Sequence, residues 1–173
     1  MDSTIEKAIN QQIHQELTAS HGYLAMCAYF ESVNLKGMAR WMRKQAGEER
    51  NHAMRLFNYL LDRGCRVRFE GIDVPPFDFA SPLEAFEAAY ESEKKNTRSI
   101  HELFALARKV DDYATMVHLQ WFITEQVEEE KWCQEYVGLL KMAGSEPSAV
   151  LFVDRQIGEA AAVEEAREAE LAT

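Results

Sequence analysis

Apolar residues recur every three or four positions along most of the chain, which is the spacing of amphipathic helices. On the first such stretch they are Ile5, Ile9, Ile13, Leu17, Leu24 and Phe30. Ser3 and Glu6 form a capping-box pattern, so the first helix is predicted to begin near Ser3 and to end around residues 34–37. Glycine and proline are concentrated between such stretches, which is typical of an all-α protein.

Three further long helices are predicted, over about 38–63, 82–109 and 113–142. Gly64 marks the end of the second. Ser81 and Pro82 give the third a cap and a first-turn proline, and Asp112 caps the fourth. The segment 65–80 is too long for a tight turn, which predicts a long crossover between the second and third helices.

A short, apolar fifth helix is predicted at about 147–158, followed by an Ala/Glu-rich tail, 159–173, that could be helical or frayed. The whole chain, 1–173, is predicted to be one all-α domain: a four-helix bundle at about 3–143 with one long crossover and a short C-terminal helix. The fifth helix carries more apolar side chains than one bundle flank should bury, which predicts a large closed oligomer. They are Val150, Leu151, Phe152, Val153 and Ile157.

Charge and composition exclude several classes of partner. Nineteen Lys and Arg against 29 Asp and Glu give a net charge of −10, with no basic stripe for nucleic acid or an anionic membrane surface. The longest apolar run, 24–30, is far too short to span a bilayer. Charged residues near the N-terminus argue against a signal peptide, and three cysteines without CxxC spacing read as reduced thiols. We therefore expect a cytoplasmic protein.

Each long helix carries at least one glutamate on its own apolar face. They are Glu16, Glu49, Glu93, Glu125 and Glu129. Burial of an isolated carboxylate costs roughly tens of kcal/mol in the idealised limit, so each must pair, take up a proton or bind a metal. A buried multivalent cation would satisfy all of them together.

The spacing of Glu49 and His52 supports a metal site, because it places a carboxylate and an imidazole one turn apart on the same face. Oxygen ligands with a single imidazole suit iron or manganese better than structural zinc. A single glutamate on a helix is usually solvated, and a single histidine such as His52 is more often a structural residue. The metal-site prediction therefore depends on these glutamates and His52 taken together. The remaining histidines are interpreted as structural or surface residues: His14, His21, His101 and His118.

The sequence resembles the ferritins, specifically the bacterial non-haem ferritins. The matching pieces are Glu16…Tyr23, Glu48-Glu49-x-x-His52, Glu93 and Trp121…Glu125-Gln126-x-Glu128-Glu129. The resemblance implies a ferroxidase that oxidises Fe(II) to Fe(III) with dioxygen or hydrogen peroxide. It also implies that ferric mineral is deposited inside a closed shell of 24 copies.

The resemblance also implies roles for individual residues. The first iron would be bound by Glu16, Glu49 and His52. The second would share Glu49 as a bridge and add Glu93 and Glu129, with Gln126 beside it. A third iron site would be formed by Glu48, Glu125, Glu128 and Glu129. Tyr23 would be an electron donor close to the first iron.

Two departures from related families narrow the expectation. Bacterioferritins carry a second Glu-x-x-His, whereas Glu128 stands here, and Arg50 takes the place of their haem-ligating methionine, so no haem is expected. Two alternatives remain open at this point. One is another di-metal enzyme on the same bundle, such as a peroxidase, an oxygenase or a manganese catalase. The other is a non-enzymatic helical scaffold.

Overall fold

The computed structural model describes residues 1–171, which form five helices: α1 Ser3–Ser32, α2 Lys36–Asp62, α3 Pro82–Lys109, α4 Tyr113–Ala143 and α5 Pro147–Leu171. The all-α class and the four long helices agree with the sequence prediction. The crossover between α2 and α3 has no regular secondary structure. Across residues 1–171, no helix combines the length and the apolarity that crossing a bilayer requires.

Side-chain caps fix three of the helix starts. The N-terminal cap is Asp2 rather than the expected Ser3, because the Asp2 carboxylate accepts a hydrogen bond from the Thr4 amide at 2.7 Å. Ser81 caps α3 and Asp112 caps α4, each accepting from the amide three residues later at 3.1 Å. At the far end of α4, Gly144 adopts a positive φ of 59°, which favours glycine.

The helices pair as two hairpins, α1 with α2 and α3 with α4, and α1 also packs against α3. Two apolar clusters fill the bundle. One includes Phe30, Trp41 and Phe86, and the other includes Ile9 and Leu56. Along each of the four helices, a band of buried polar side chains separates the two clusters. This polar layer contains Gln12, Glu16, Gln45, Glu49, His52, Glu93, Asn96, Gln126 and Glu129.

The prediction that the fifth helix ends near residue 158 was wrong, and of the two possibilities for the tail, helical or frayed, the structure shows the helical one over residues 159–171. Helix α5 continues through Leu171 and packs along α2, while residues 172–173 lie outside the described part of the chain. Gly158 resembles a helix stop, but it serves a close helix crossing: a Cβ there would lie 2.7 Å from the Cα of Gly37. The Asp154 carboxylate also accepts from the Met38 amide at 2.8 Å.

The apolar side chains of the first turns of α5 divide between the core and the surface. Val153 and Ile157 are buried against α2 and the bundle. Leu151 and Phe152 are 56% and 64% exposed, so most of the surface of each side chain is left uncovered by the described part of this chain. An exposed pair of large apolar residues on one helix face is what an interface between copies would need.

Candidate metal centre

The polar layer holds the carboxylates that the sequence placed on the apolar faces. Glu16 and Glu49 are fully buried, and Glu93, Glu129 and His52 are at most 4% exposed. The apolar clusters on either side determine this burial, since each helix continues from one cluster through the polar layer into the other. Acidic side chains are seldom buried to this extent without a partner of opposite charge or a metal.

Glu16, Glu49 and His52 form a compact group in which one ligand atom from each residue lies within 4.8 Å of the others. His52 Nδ1 lies 3.7 Å from Glu49 Oε2 and 4.0 Å from Glu16 Oε2. These distances are too long for direct hydrogen bonds but allow all three donors to reach one cation. The set combines hard oxygen donors with one imidazole, which fits iron.

Glu49 is the least satisfied residue of the group. Both of its carboxylate oxygens are buried and have no hydrogen-bond partner among residues 1–171, and His52 Nδ1 is in the same state. Burial, followed by the charges of Glu93 and Glu16, raises the pKa of Glu49 well above its ordinary value. An unpaired buried carboxylate facing an unpaired imidazole nitrogen is the expected arrangement for two ligands of a shared cation.

Glu16 is held in place by two amides. Gln12 Nε2 donates to Glu16 Oε1 at 2.7 Å, and Asn96 Nδ2 donates to Oε2 at 3.1 Å. Such supporting hydrogen bonds fix the orientation of a ligating carboxylate. Sequence analysis missed Gln12 and Asn96, although each is a polar residue on an apolar stripe, one turn from Glu16 and Glu93 respectively.

The ring of His52 is enclosed by the edges of Trp121 and Phe122, at centroid distances of 5.3 and 6.1 Å. Burial lowers the pKa of His52 below its ordinary value, although the Glu16 charge opposes this effect. The imidazole is therefore neutral near pH 7 and has a lone pair free to bind a metal.

Glu93 lies in the same layer with two hydrogen-bond donors of its own. Tyr23 donates to Glu93 Oε1 at 2.5 Å, and Gln126 Nε2 donates to Oε2 at 3.2 Å. Burial raises the pKa of Glu93 to about 7, while these two hydrogen bonds oppose the rise. Gln126 thus lies beside the expected second-iron ligand, whereas Tyr23 contacts that ligand rather than those of the first site.

A second group of potential ligands brings together His52, Glu125 and Glu129. Glu129 accepts a hydrogen bond from Gln45 Nε2 at 2.7 Å, and Glu125 is half-buried. Burial, and next the Glu93 charge, raises the pKa of Glu129 well above its ordinary value. The metal-free layer therefore holds protons that metal binding would release.

The remaining expected ligands lie at the edge of the layer. Glu48 makes an ion pair with Lys44 at 2.6 Å, and Glu128 is exposed. Within the described chain, neither belongs to the two compact groups. No role for Lys44 was predicted from the sequence. Glu164, with which it forms a second ion pair, lies on the part of α5 that was predicted to be a tail.

A four-helix bundle whose interior presents several carboxylates and a Glu-x-x-His pair defines a metal-binding carboxylate bundle. The model of the ferritin-like domain matches residues 6–143. A bacterial non-heme ferritin from Staphylococcus aureus (strain USA300) is 35% identical over 158 residues, which cover 91% of this chain and 95% of that protein. This chain therefore belongs to the ferritin family.

Further relatives extend the similarity. A bacterial non-heme ferritin from Bacteroides fragilis (strain 638R) is 38% identical over 155 residues, covering 90% of this chain and 96% of that protein. The crystal structure of an open pore ferritin from Archaeoglobus fulgidus superimposes with a TM-score of 0.90 and 40% identity. The superposition covers 91% of this chain and 98% of the archaeal one.

Proposed function

We propose that the protein is a ferroxidase and iron store, which oxidises Fe(II) at a di-iron centre and deposits ferric mineral in a shell made of copies of this chain. Glu49 provides the main support for this proposal, because both of its carboxylate oxygens are buried and have no hydrogen-bond partner within residues 1–171. The carboxylates whose charges act on Glu49 are Glu93, Glu16 and Glu129. One carboxylate can thus bridge two ions.

In this proposal, Glu16 and neutral His52 bind the first Fe(II), Glu93 and Glu129 bind the second, and Glu49 contacts both. Each iron gives up one electron, so that two Fe(II), one dioxygen and two protons yield two Fe(III) and one hydrogen peroxide. When hydrogen peroxide is the oxidant, two Fe(II) and two protons convert it to two waters. The concentration of negative charge in the layer stabilises Fe(III) over Fe(II).

Tyr23 is proposed to supply an additional electron. Its hydroxyl touches Glu93, so loss of one electron from the phenol to dioxygen, together with the electrons from Fe(II), would be accompanied by transfer of the phenolic proton toward that carboxylate. The neutral phenoxyl radical left behind would be reduced by a later Fe(II), which becomes Fe(III). The proposal includes an accessory third iron site built from Glu125 and Glu129, with Glu48 and Glu128 at its edge. Sites made only of carboxylates bind hard cations reversibly, which suits a position on the way to the mineral.

The assembly is proposed to be a closed homo-oligomeric shell of 24 subunits in the cytoplasm. The exposed pair Leu151 and Phe152 supports contacts between copies, and the cysteines are free thiols, as a reducing compartment requires. Light scattering of the purified protein should give a mass many times that of the 19.9 kDa chain. A monomer or dimer in mild buffer would contradict the shell.

The decisive activity test compares Glu49→Ala with Glu102→Ala. Both remove one carboxylate, but Glu102 is exposed on α3 and outside the polar layer. Anaerobic protein loaded with two Fe(II) per chain is mixed with dioxygen, and ferric absorbance is followed by stopped flow. We expect Glu49→Ala to lose the fast phase, by about a hundredfold or more for a residue that contacts both reacting ions. Equal rates in the two variants would contradict the proposed centre.

A further inference from the structure

Lys44 places a buried cation at the edge of the acidic layer. Its side chain is only 5% exposed, and its ammonium lies 2.6 Å from Glu48 Oε1 and 3.3 Å from Glu164 Oε2. The positive charge of Lys44 lowers the pKa of Glu129, whereas the charges of Glu48 and Glu125 raise it. The ammonium is therefore within electrostatic reach of the carboxylates of the accessory site.

This ammonium and a metal ion would compete for the same carboxylate. Glu48 is one of the ligands proposed for the accessory iron, and it carries the closer of the two contacts to Lys44. A divalent ion that approaches Glu48 meets the repulsion of a nearby positive charge in a partly buried environment, where screening by water is weak. The ammonium contacts Oε1 of Glu48, so its positive charge weakens metal binding at this carboxylate.

Glu164 is the second carboxylate that the Lys44 ammonium contacts, at 3.3 Å. It lies on α5, beyond the Gly37–Gly158 crossing, and its side chain is 38% exposed. Its negative charge offsets part of the positive charge that Lys44 places beside Glu48. The second half of α5 thereby becomes part of the environment of the metal layer.

We propose that Lys44 is a positioning residue that holds Glu48 and keeps a tethered positive charge at the edge of the accessory acidic cluster, where it weakens metal binding, while Glu164 offsets part of that charge. This inference rests on the proposed accessory site. The positive charge of Lys44 makes the metal affinity of the accessory site lower than its carboxylates alone would give. A lower affinity favours the onward release of iron. The extended part of α5 also has a function here, because it presents Glu164 to Lys44.

The proposal is tested by anaerobic isothermal titration of Fe(II) into the assembled full-length protein and two variants. Lys44→Met removes the competing charge, so the affinity for the third equivalent should rise about tenfold relative to the first two. Glu164→Gln removes the negative charge that offsets Lys44, so the relative affinity for the third equivalent should fall severalfold. General damage to the α2–α5 contact would move both variants in the same direction, whereas the proposal requires opposite directions.

Arg40 and Glu165 provide the matched control, since they form a second α2–α5 ion pair that is more exposed, with side-chain accessibilities of 47% and 38%. Arg40→Met and Glu165→Gln should leave the ratio of third to first affinity unchanged. If Lys44→Met and Glu164→Gln also leave the ratio unchanged while a third equivalent still binds, the role of Lys44 is overturned and the accessory site stands. If no third equivalent binds in the parent or in Lys44→Met, the accessory site itself is overturned, and this inference with it.

Discussion

The phenolic hydroxyl of Tyr23 donates a hydrogen bond to Oε1 of Glu93, joining α1 to α3 inside the polar layer. The hydrogen bond opposes the effect of burial on the Glu93 carboxyl, whose pKa is raised to about 7. Burial also raises the pKa of Tyr23 itself well above its ordinary value, so the phenol keeps its proton near neutral pH. Tyr23 therefore both stabilises the charged form of Glu93 and holds a protonated phenol against it.

Tyr23→Phe separates these two effects. Loss of the phenol should slow the later oxidation turnovers severalfold, because the additional electron is missing, while the first turnover retains its rate at pH 8. Stopped-flow absorbance over repeated Fe(II) additions measures both phases. At pH 6, the variant should also bind the second Fe(II) more weakly than the parent, since Glu93 would hold its proton more tightly. Identical later turnovers in the variant and the parent would exclude Tyr23 as the electron donor.

The raised pKa of Glu93 should make the metal-free protein less stable as the pH rises. The pKa of Glu93 is about 7 in the folded protein against 4.5 for the unperturbed side chain, so between these values the folded state binds more protons than the unfolded state. The free energy of unfolding therefore falls as the pH rises through this window, and the raised pKa values of Glu49 and Glu129 extend the fall to higher pH. Calorimetry should show the melting temperature of the metal-free parent falling relative to that of metal-free Glu93→Gln between pH 5 and pH 8, by several degrees at about 2–4 °C per kcal/mol. The comparison with the variant removes the opposite effect of His52 and His118, whose lowered pKa values are common to both proteins.

Glu49→Gln is the matched variant for this pH dependence. It keeps the size of the side chain but removes a carboxyl whose ionisation burial opposes at high pH, so metal-free Glu49→Gln should melt above the metal-free parent at pH 8. At pH 5, where the parent carboxyl is protonated, the two should melt at nearly the same temperature. A variant that melts below the parent at pH 8 would show that Glu49 stabilises the fold rather than the bound metal.

The sequence predicted the metal layer because each ligand lies on a helix face with its own apolar neighbours. The spacing of Glu49 and His52 places them on one face of α2, whereas their grouping with Glu16 was implied by the resemblance; the structure places ligand atoms of all three within 4.8 Å. The contact between Tyr23 and Glu93 was not predictable to this level, because the relative rotation of α1 and α3 decides which carboxylate the phenol reaches. Periodicity within one helix carries no information about that rotation.

The C-terminal helix was mispredicted for a related reason. The sequence predicts a helix end at Gly158, because glycine is common just after the last turn of a helix. In the structure its missing side chain admits the backbone of Gly37, so α5 continues and delivers Glu164 to Lys44. A glycine that serves a helix crossing and one that ends a helix look alike until the partner helix is known.

Gly37→Ala tests this crossing. A Cβ at residue 37 would lie 1.8 Å from the Asp154 carbonyl oxygen, and that oxygen belongs to the backbone of α5, so the helix must shift. We expect a loss of about 1–3 kcal/mol, the usual cost of overpacking, measured by chemical unfolding. Hydrogen exchange should show faster exchange in α5. Gly47→Ala is the control, because no atom lies within 4 Å of a Cβ built there and alanine favours a helix. Equal protection of α5 in the two variants would contradict the close crossing.

Glu49 is proposed to bridge two iron ions. Anomalous diffraction at the iron absorption edge would locate both ions relative to its carboxylate. Crystals of the parent protein soaked anaerobically in Fe(II) should show two peaks in the polar layer, one beside Glu16 and His52 and one beside Glu93 and Glu129. The Glu49 carboxylate should lie between them within ligand distance of both. A single peak, or two peaks of which only one contacts Glu49, would contradict the account.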